Sequence, residues 1–128
     1  MKNRKHLFKA KTNEGKWIYG LPLEKNDKFY IIDLENTSNL TEVLKNSLSE
    51  FTNRYMDDEK TEIYENDIIY YREQYWTIQY CPALTGFQAV CYDEDNDFNC
   101  FLPITQVIEG TIKGNIIDNP NLVKVKLE

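Results

Sequence analysis

The side chains able to do chemistry in this 128-residue chain are carboxylates, thiols and tyrosines, and they come in clusters. Glu50, Asp57, Asp58, Glu59, Glu62, Glu65 and Asp67 form one acidic concentration. Paired carboxylates could do acid–base work or hold Mg²⁺ through oxygen ligands. That chemistry needs company, and the only histidine, His6, lies far away in sequence. The chain has no GxSxG, no GxxxxGK[ST] and no HExxH. These acids therefore read as a solvated, partner-facing loop. A second acidic run, Asp93-Glu94-Asp95-Asn96-Asp97, begins like a calcium loop. It places Phe98 where an EF-hand needs glycine and Ile104 where it needs the last glutamate. A hairpin tip is the expectation there. Cys81, Cys91 and Cys100 are odd in number and lack the close Cys or His pairing of zinc sites. They read as structural, reduced, largely buried thiols. No catalytic residue, cofactor or metal site is assigned, and an enzyme is not expected.

The elements that must carry these residues read as β. Nine Tyr, six Phe and two Trp make the chain rich in strand-favouring aromatics. A hydrophobic share of 41% and a charged share of 28% suit a globular protein. The length suits one domain of roughly 100–200 residues, taken as 1–128 with a basic arm over 1–15. Trp17-Ile18-Tyr19 and Lys28–Asp33 read as a hairpin around a polar turn. Residues 41–47 read as a short helical or irregular segment. Asp67–Tyr71, Gln74–Tyr80, Gln88–Tyr92, Asn99–Leu102 and Val107–Ile112 read as strands separated by short polar turns. Alternation puts Trp76, Ile78 and Tyr80 on one face, and Ile68, Val90, Ile104 and Ile116 join them as expected core. Val123, Val125 and Leu127 alternate with lysines, as in an edge strand. The spacing predicts a mainly β protein, a small antiparallel barrel of SH3-like or similar form.

Several motifs in this order resemble the YopX-like family of phage and prophage proteins. They are Trp17-Ile18-Tyr19-Gly20, Tyr30-Ile31-Ile32, Phe51-Thr52-Asn53 and Ile63-Tyr64-Glu65-Asn66-Asp67-Ile68-Ile69, then Lys113-Gly114-Asn115-Ile116 and Asn119-Pro120-Asn121-Leu122. The resemblance covers roughly residues 16–123. It implies a mainly β, barrel-like fold in a phage-encoded accessory protein whose biochemical role is not established. Asn53 and Asn66 stand where the family pattern has glycine. Asparagine is the residue that best tolerates positive φ after glycine, so both turns can survive the change.

The net charge of −6 is uneven: residues 1–16 carry +5 and the remainder −11. An acidic body repels phosphate backbones, which argues against nucleic acid. No run of apolar residues makes a signal segment or a membrane span, so the expected setting is the host cytoplasm with no membrane partner. The function expected is a non-catalytic protein-binding or self-associating module, its partner a host or phage protein or a second copy in a homo-oligomer. The candidate partner-binding loop is Thr52, Asn53, Arg54, Tyr55, Asp57, Asp58, Glu59, Glu65, Asn66 and Asp67. Tyr55, Tyr70, Tyr71 and Tyr75 are candidate anchors. With Arg72 among them they leave a nucleic-acid-binding module as the alternative. A metal-dependent enzyme using the loop carboxylates is the second alternative.

Overall fold

The computed structural model describes residues 8–33, 35–36 and 39–123. The fold is mainly β, built from eleven antiparallel strands, one short α-helix and three 3₁₀ turns among the described residues. The chain divides into two compact units, Met1–Phe51 and Thr52–Glu128, and passes from the first to the second inside strand β5 (Ser49–Tyr55).

In the first unit β1 (Phe8–Lys11), β2 (Trp17–Lys25), β3 (Lys28–Ile32) and β4 (Leu40–Val43) lie in the order β4-β3-β2-β1, with the start of β5 beyond β1. Phe8 and Ala10 alternate with Lys9 and Lys11, which is the period of a half-buried strand. Ala10 is fully buried, packed with Ile31 and Val43. Phe8–Lys11, expected within the basic arm over 1–15, is therefore a strand, and residues 1–7 lie outside the described residues. The β2–β3 hairpin turns on Asn26 and Asp27, both at positive φ, which is what a two-residue turn between right-twisted strands requires. The segment 41–47 is helical only at its end. Leu40–Val43 pairs with β3, and a single 3₁₀ turn spans Lys45–Ser47. The apolar spacing there matched a helical stripe, but cross-strand pairing with Phe29 and Ile31 used it as a strand.

Gly20 explains its own place in the Trp17-Ile18-Tyr19-Gly20 motif. The first half of β2 pairs with β1 and the second half with β3, so the strand changes partner at this residue. A Cβ on Gly20 would sit 2.0 Å from the Ile32 carbonyl oxygen and 2.9 Å from Ile31 Cγ2.

The second unit holds β6 (Glu62–Tyr64), in a hairpin with the end of β5, and an open five-stranded sheet. Its strands are β7 (Asp67–Tyr71), β8 (Gln74–Cys81), β9 (Gly86–Asp93), β10 (Phe98–Pro103) and β11 (Thr111–Asn115), in the order β10-β9-β8-β7-β11. The barrel does not close: β10 and β11 are the two ends of the sheet. Between them runs helix α1 (Ile104–Val107), where a strand beginning at Val107 was expected. Pro103 cannot donate to a ladder and ends β10, and Ile104 and Val107 then face the core one helical turn apart.

One face of this sheet carries Ile69, Trp76, Ile78, Ala89 and Cys91, packed with Met56, Ile63, Ile104 and Val107. On the other face Ile68, Thr77 and Val90 are buried. Ile116 is half-buried and Tyr80 is exposed, against expectation. Tyr80 lies near the outer end of β8 and meets Phe87 edge to face, which satisfies the ring without burying it. Of the expected C-terminal edge strand, Val123 is in no strand, and 124–128 lie outside the described residues.

Gly20→Ala should destabilise the protein by roughly 1–3 kcal/mol in urea unfolding, because the added carbon meets backbone that cannot swing away. Unchanged stability would mean that β2 does not bend there.

Candidate functional site

The ten residues of the expected binding loop occupy three different settings. Thr52–Tyr55 lie in β5, Asp57–Glu59 form the exposed tip of the β5–β6 hairpin, and Glu65–Asp67 lie in the turn entering β7. The stretch is thus a hairpin followed by a tight turn, and not one loop. Ile63 and Tyr64, inside the stretch, are buried and pull it onto the core.

Both asparagines at glycine-like positions adopt left-handed backbone, Asn53 at φ 66° and Asn66 at φ 76°, as expected. Asn66 is held from several sides. Its amide donates to the Ile78 carbonyl at 2.7 Å, and its carbonyl accepts from the Ile116 amide at 2.9 Å. Its side-chain oxygen accepts from Gln79 Nε2 at 3.2 Å. Next to it the buried Asp67 carboxylate accepts the Tyr64 amide at 2.8 Å. Asp67 thus serves the backbone from inside the turn.

At the hairpin tip Asp58 does comparable work in solvent. Its Oδ1 accepts the amides of Lys60 and Thr61 at 2.9 and 2.8 Å, and its Oδ2 accepts the Thr61 hydroxyl at 2.5 Å. The Thr61 hydroxyl first, then the two amides, hold its carboxyl down at about 2. Asp58 and Asp67 therefore face different backbone groups. Among the described residues no group of three or more His, Cys, Asp or Glu side chains is arranged to hold a metal ion.

The second acidic run is the tip of the β9–β10 hairpin, as expected, with Phe98 opposite Asp93. The Asp93 carboxylate accepts the amides of Asp95 and Asn96 and the Asn96 side chain, and these bonds lower its pKa. Tyr92 bonds Asp97, which takes positive φ. Of the tyrosine anchors, Tyr70 is exposed and packs against the half-buried Tyr75 at 4.9 Å. Arg72 lies 5.1 Å over the Tyr71 ring.

Two features escaped the sequence reading. The first is a cavity of about 580 Å³ lined by Tyr71, Arg72, Trp76, Cys91, Cys100 and Leu102, among others. Its signal was present in the numbering: once the hairpin tip is 94–97, stepping back from both ends puts Cys91 opposite Cys100. The second is the outer edge of β10. Phe98-Asn99-Cys100-Phe101-Leu102-Pro103 contains no charged residue, and no described strand pairs with its outer side. Phe98 is 52% exposed and Phe101 47%. Strand alternation puts the Phe98 and Phe101 rings on opposite faces, so each face of this open edge carries one exposed aromatic side chain. The opposite edge, β11, carries exposed Lys113 and a break in register between Ile112 and Gly114, two devices that blunt an edge.

No protein-family model, no curated protein and no solved structure matches this chain. Among the described residues no helix is long and apolar enough to cross a membrane.

Asn66→Val should cost roughly 2 kcal/mol or more, since a β-branched residue is strained at φ 76° and the Gln79 bond is lost. Asn66→Gly, which keeps the backbone and loses only the acceptor, should cost about 1 kcal/mol or less. Equal losses in denaturant unfolding would refute the backbone reading. Asp58 should titrate near 2 by NMR, and Thr61→Ala should move its midpoint up toward the ordinary carboxylate value. Because its folded pKa is depressed, Asp58 stabilises the fold above about pH 4 and loses that contribution as pH falls toward 2. A midpoint unmoved by Thr61→Ala would remove the assigned cause.

Proposed function

We propose that this protein is a non-catalytic interaction module that binds by strand addition at the β10 edge, with a second copy of the chain as the partner that edge fits most directly. The observation that carries this reading is the uncharged, six-residue open edge with Phe98 and Phe101 exposed. Edge pairing satisfies backbone donors and acceptors along the strand, while alternate side chains supply the apolar contact. Antiparallel pairing of β10 with its copy is two-fold symmetric, so the same patch serves both sides and assembly closes at a dimer. A host or phage protein offering an extended apolar segment would use the same edge. The motif resemblance to YopX-like proteins supports an accessory role in a phage or prophage setting.

Charge supports a protein partner over nucleic acid. Residues 52–128 carry six Lys and Arg against fourteen Asp and Glu, a net charge of −8. Such a unit steers phosphate backbones away. It also opposes its own copy, which gives self-association a signed salt dependence. Screening shortens the reach of repulsion to a Debye length of about 8 Å at physiological salt.

The mass of the full chain, followed by light scattering across concentration and ionic strength, tests this. Self-association should strengthen as salt is raised, and Phe101→Lys should leave a monomer with an unchanged circular-dichroism spectrum. A chain that stays monomeric at every concentration, or a dimer indifferent to Phe101→Lys, would overturn the reading. Salt-weakened binding to nucleic acid, with no self-association, would favour the nucleic-acid alternative.

A further inference from the structure

Cys91 and Cys100 are direct cross-strand partners in the β9–β10 hairpin. They point to the same face of the sheet, where both line the cavity of about 580 Å³ beside Trp76. Directly opposite residues in an antiparallel pair hold their Cβ atoms about 4.5–5.5 Å apart, and a disulfide needs about 3.5–4.5 Å, so a small approach of the strands suffices. Cys91 is buried and Cys100 half-buried, and Gln74 lines the same cavity. Cys81 is the third free thiol, and strand alternation puts it on the other face, at the far end of β8.

We infer that Cys91 and Cys100 form a reversible dithiol site that reacts with small-molecule disulfides and closes to an intramolecular disulfide. The cavity admits the small disulfide to Cys100, the more exposed of the two. The Cys100 thiolate attacks one sulfur of the reagent, forming a mixed disulfide and expelling one small thiolate. Cys91 gives up its proton and attacks the Cys100 sulfur, expelling the second small thiolate. Two protein thiols are oxidised, one reagent disulfide is reduced, and the two protein protons end on the two released thiols. Burial, then the neighbouring Cys100 thiol, pushes the Cys91 thiol up to about 11, so Cys91 is the slower nucleophile and acts second. In a reducing compartment the pair stays open, and an oxidising shift closes it. Closure ties β9 to the strand that carries the open edge. It is read within one chain, and so does not depend on the association reading above.

Folded full-length chain is exposed to glutathione disulfide, and its thiols, intact mass and peptides are followed. Two of the three thiols should be lost. The mass should fall by two hydrogens with no glutathione retained, and a Cys91–Cys100 peptide should appear and vanish on treatment with dithiothreitol. Cys81→Ser should behave the same way. Cys91→Ser should stop at the mixed disulfide, retaining one glutathione on Cys100. Three intact thiols after prolonged exposure, a stable glutathione adduct on the wild-type chain, or a bridge involving Cys81 would each overturn the inference.

Discussion

The second unit depends on a single left-handed residue. Asn66 turns the chain from β6 into β7 at φ 76°, and in that conformation its amide, carbonyl and side chain reach two other segments: β8, at Ile78 and Gln79, and the residues after β11, at Ile116. Residues with a Cβ enter this region of φ/ψ space at a cost that asparagine bears better than most, so sequence choice and backbone path are coupled here. Asp67 completes the turn by accepting the Tyr64 amide from inside, where an unpaired backbone donor would be costly. A comparable arrangement closes β11. Asn115 Oδ1 accepts the amides of Ile117 and Asp118, and Gly114, at φ 145°, leaves the space that the Asn119 carboxamide occupies. Short polar side chains thus hold one end of the β7–β11 pair, where Asp67 lies opposite Asn115.

The two edges of the sheet differ sharply in character. β11 is bulged, charged and tied down, while β10 is regular, uncharged and lacks a neighbour among the described residues. An edge of this kind is a liability in a monomer and an asset in a binding module. The same hairpin carries the thiol pair, Cys100 on the edge strand and Cys91 opposite it on β9.

Much of this was legible in the residues. The span of β7, the tips at Arg72-Glu73 and Asp93–Asp97, and the positive φ of Asn53 and Asn66 all followed from alternation and turn chemistry, which act over a few residues. Three things were not legible. Leu40, Val43, Leu44 and Leu48 fit a helical stripe, and only pairing with β3 made 40–43 a strand. Barrel closure depends on whether the first and last strands meet, and the turn of helix after Pro103 sends the chain to the β7 side of the sheet. The acidic stretch looked like one exposed loop because Ile63 and Tyr64 are too few to give a period, yet their burial places it. The β10 edge was not legible at all: charge density is visible in a sequence, whereas an open strand edge exists only once the order of strands is known.

Hydrogen exchange of individual amides, with the chain dilute and then concentrated, tests the division between a locked turn and an open edge. The account predicts that the amides of Tyr64, Asn66 and Ile116 exchange only through global opening at both concentrations. It predicts that β10 amides with no β9 partner exchange fast when dilute and become protected when concentrated. Rapid exchange at Asn66, or β10 amides equally protected at both concentrations, would contradict it.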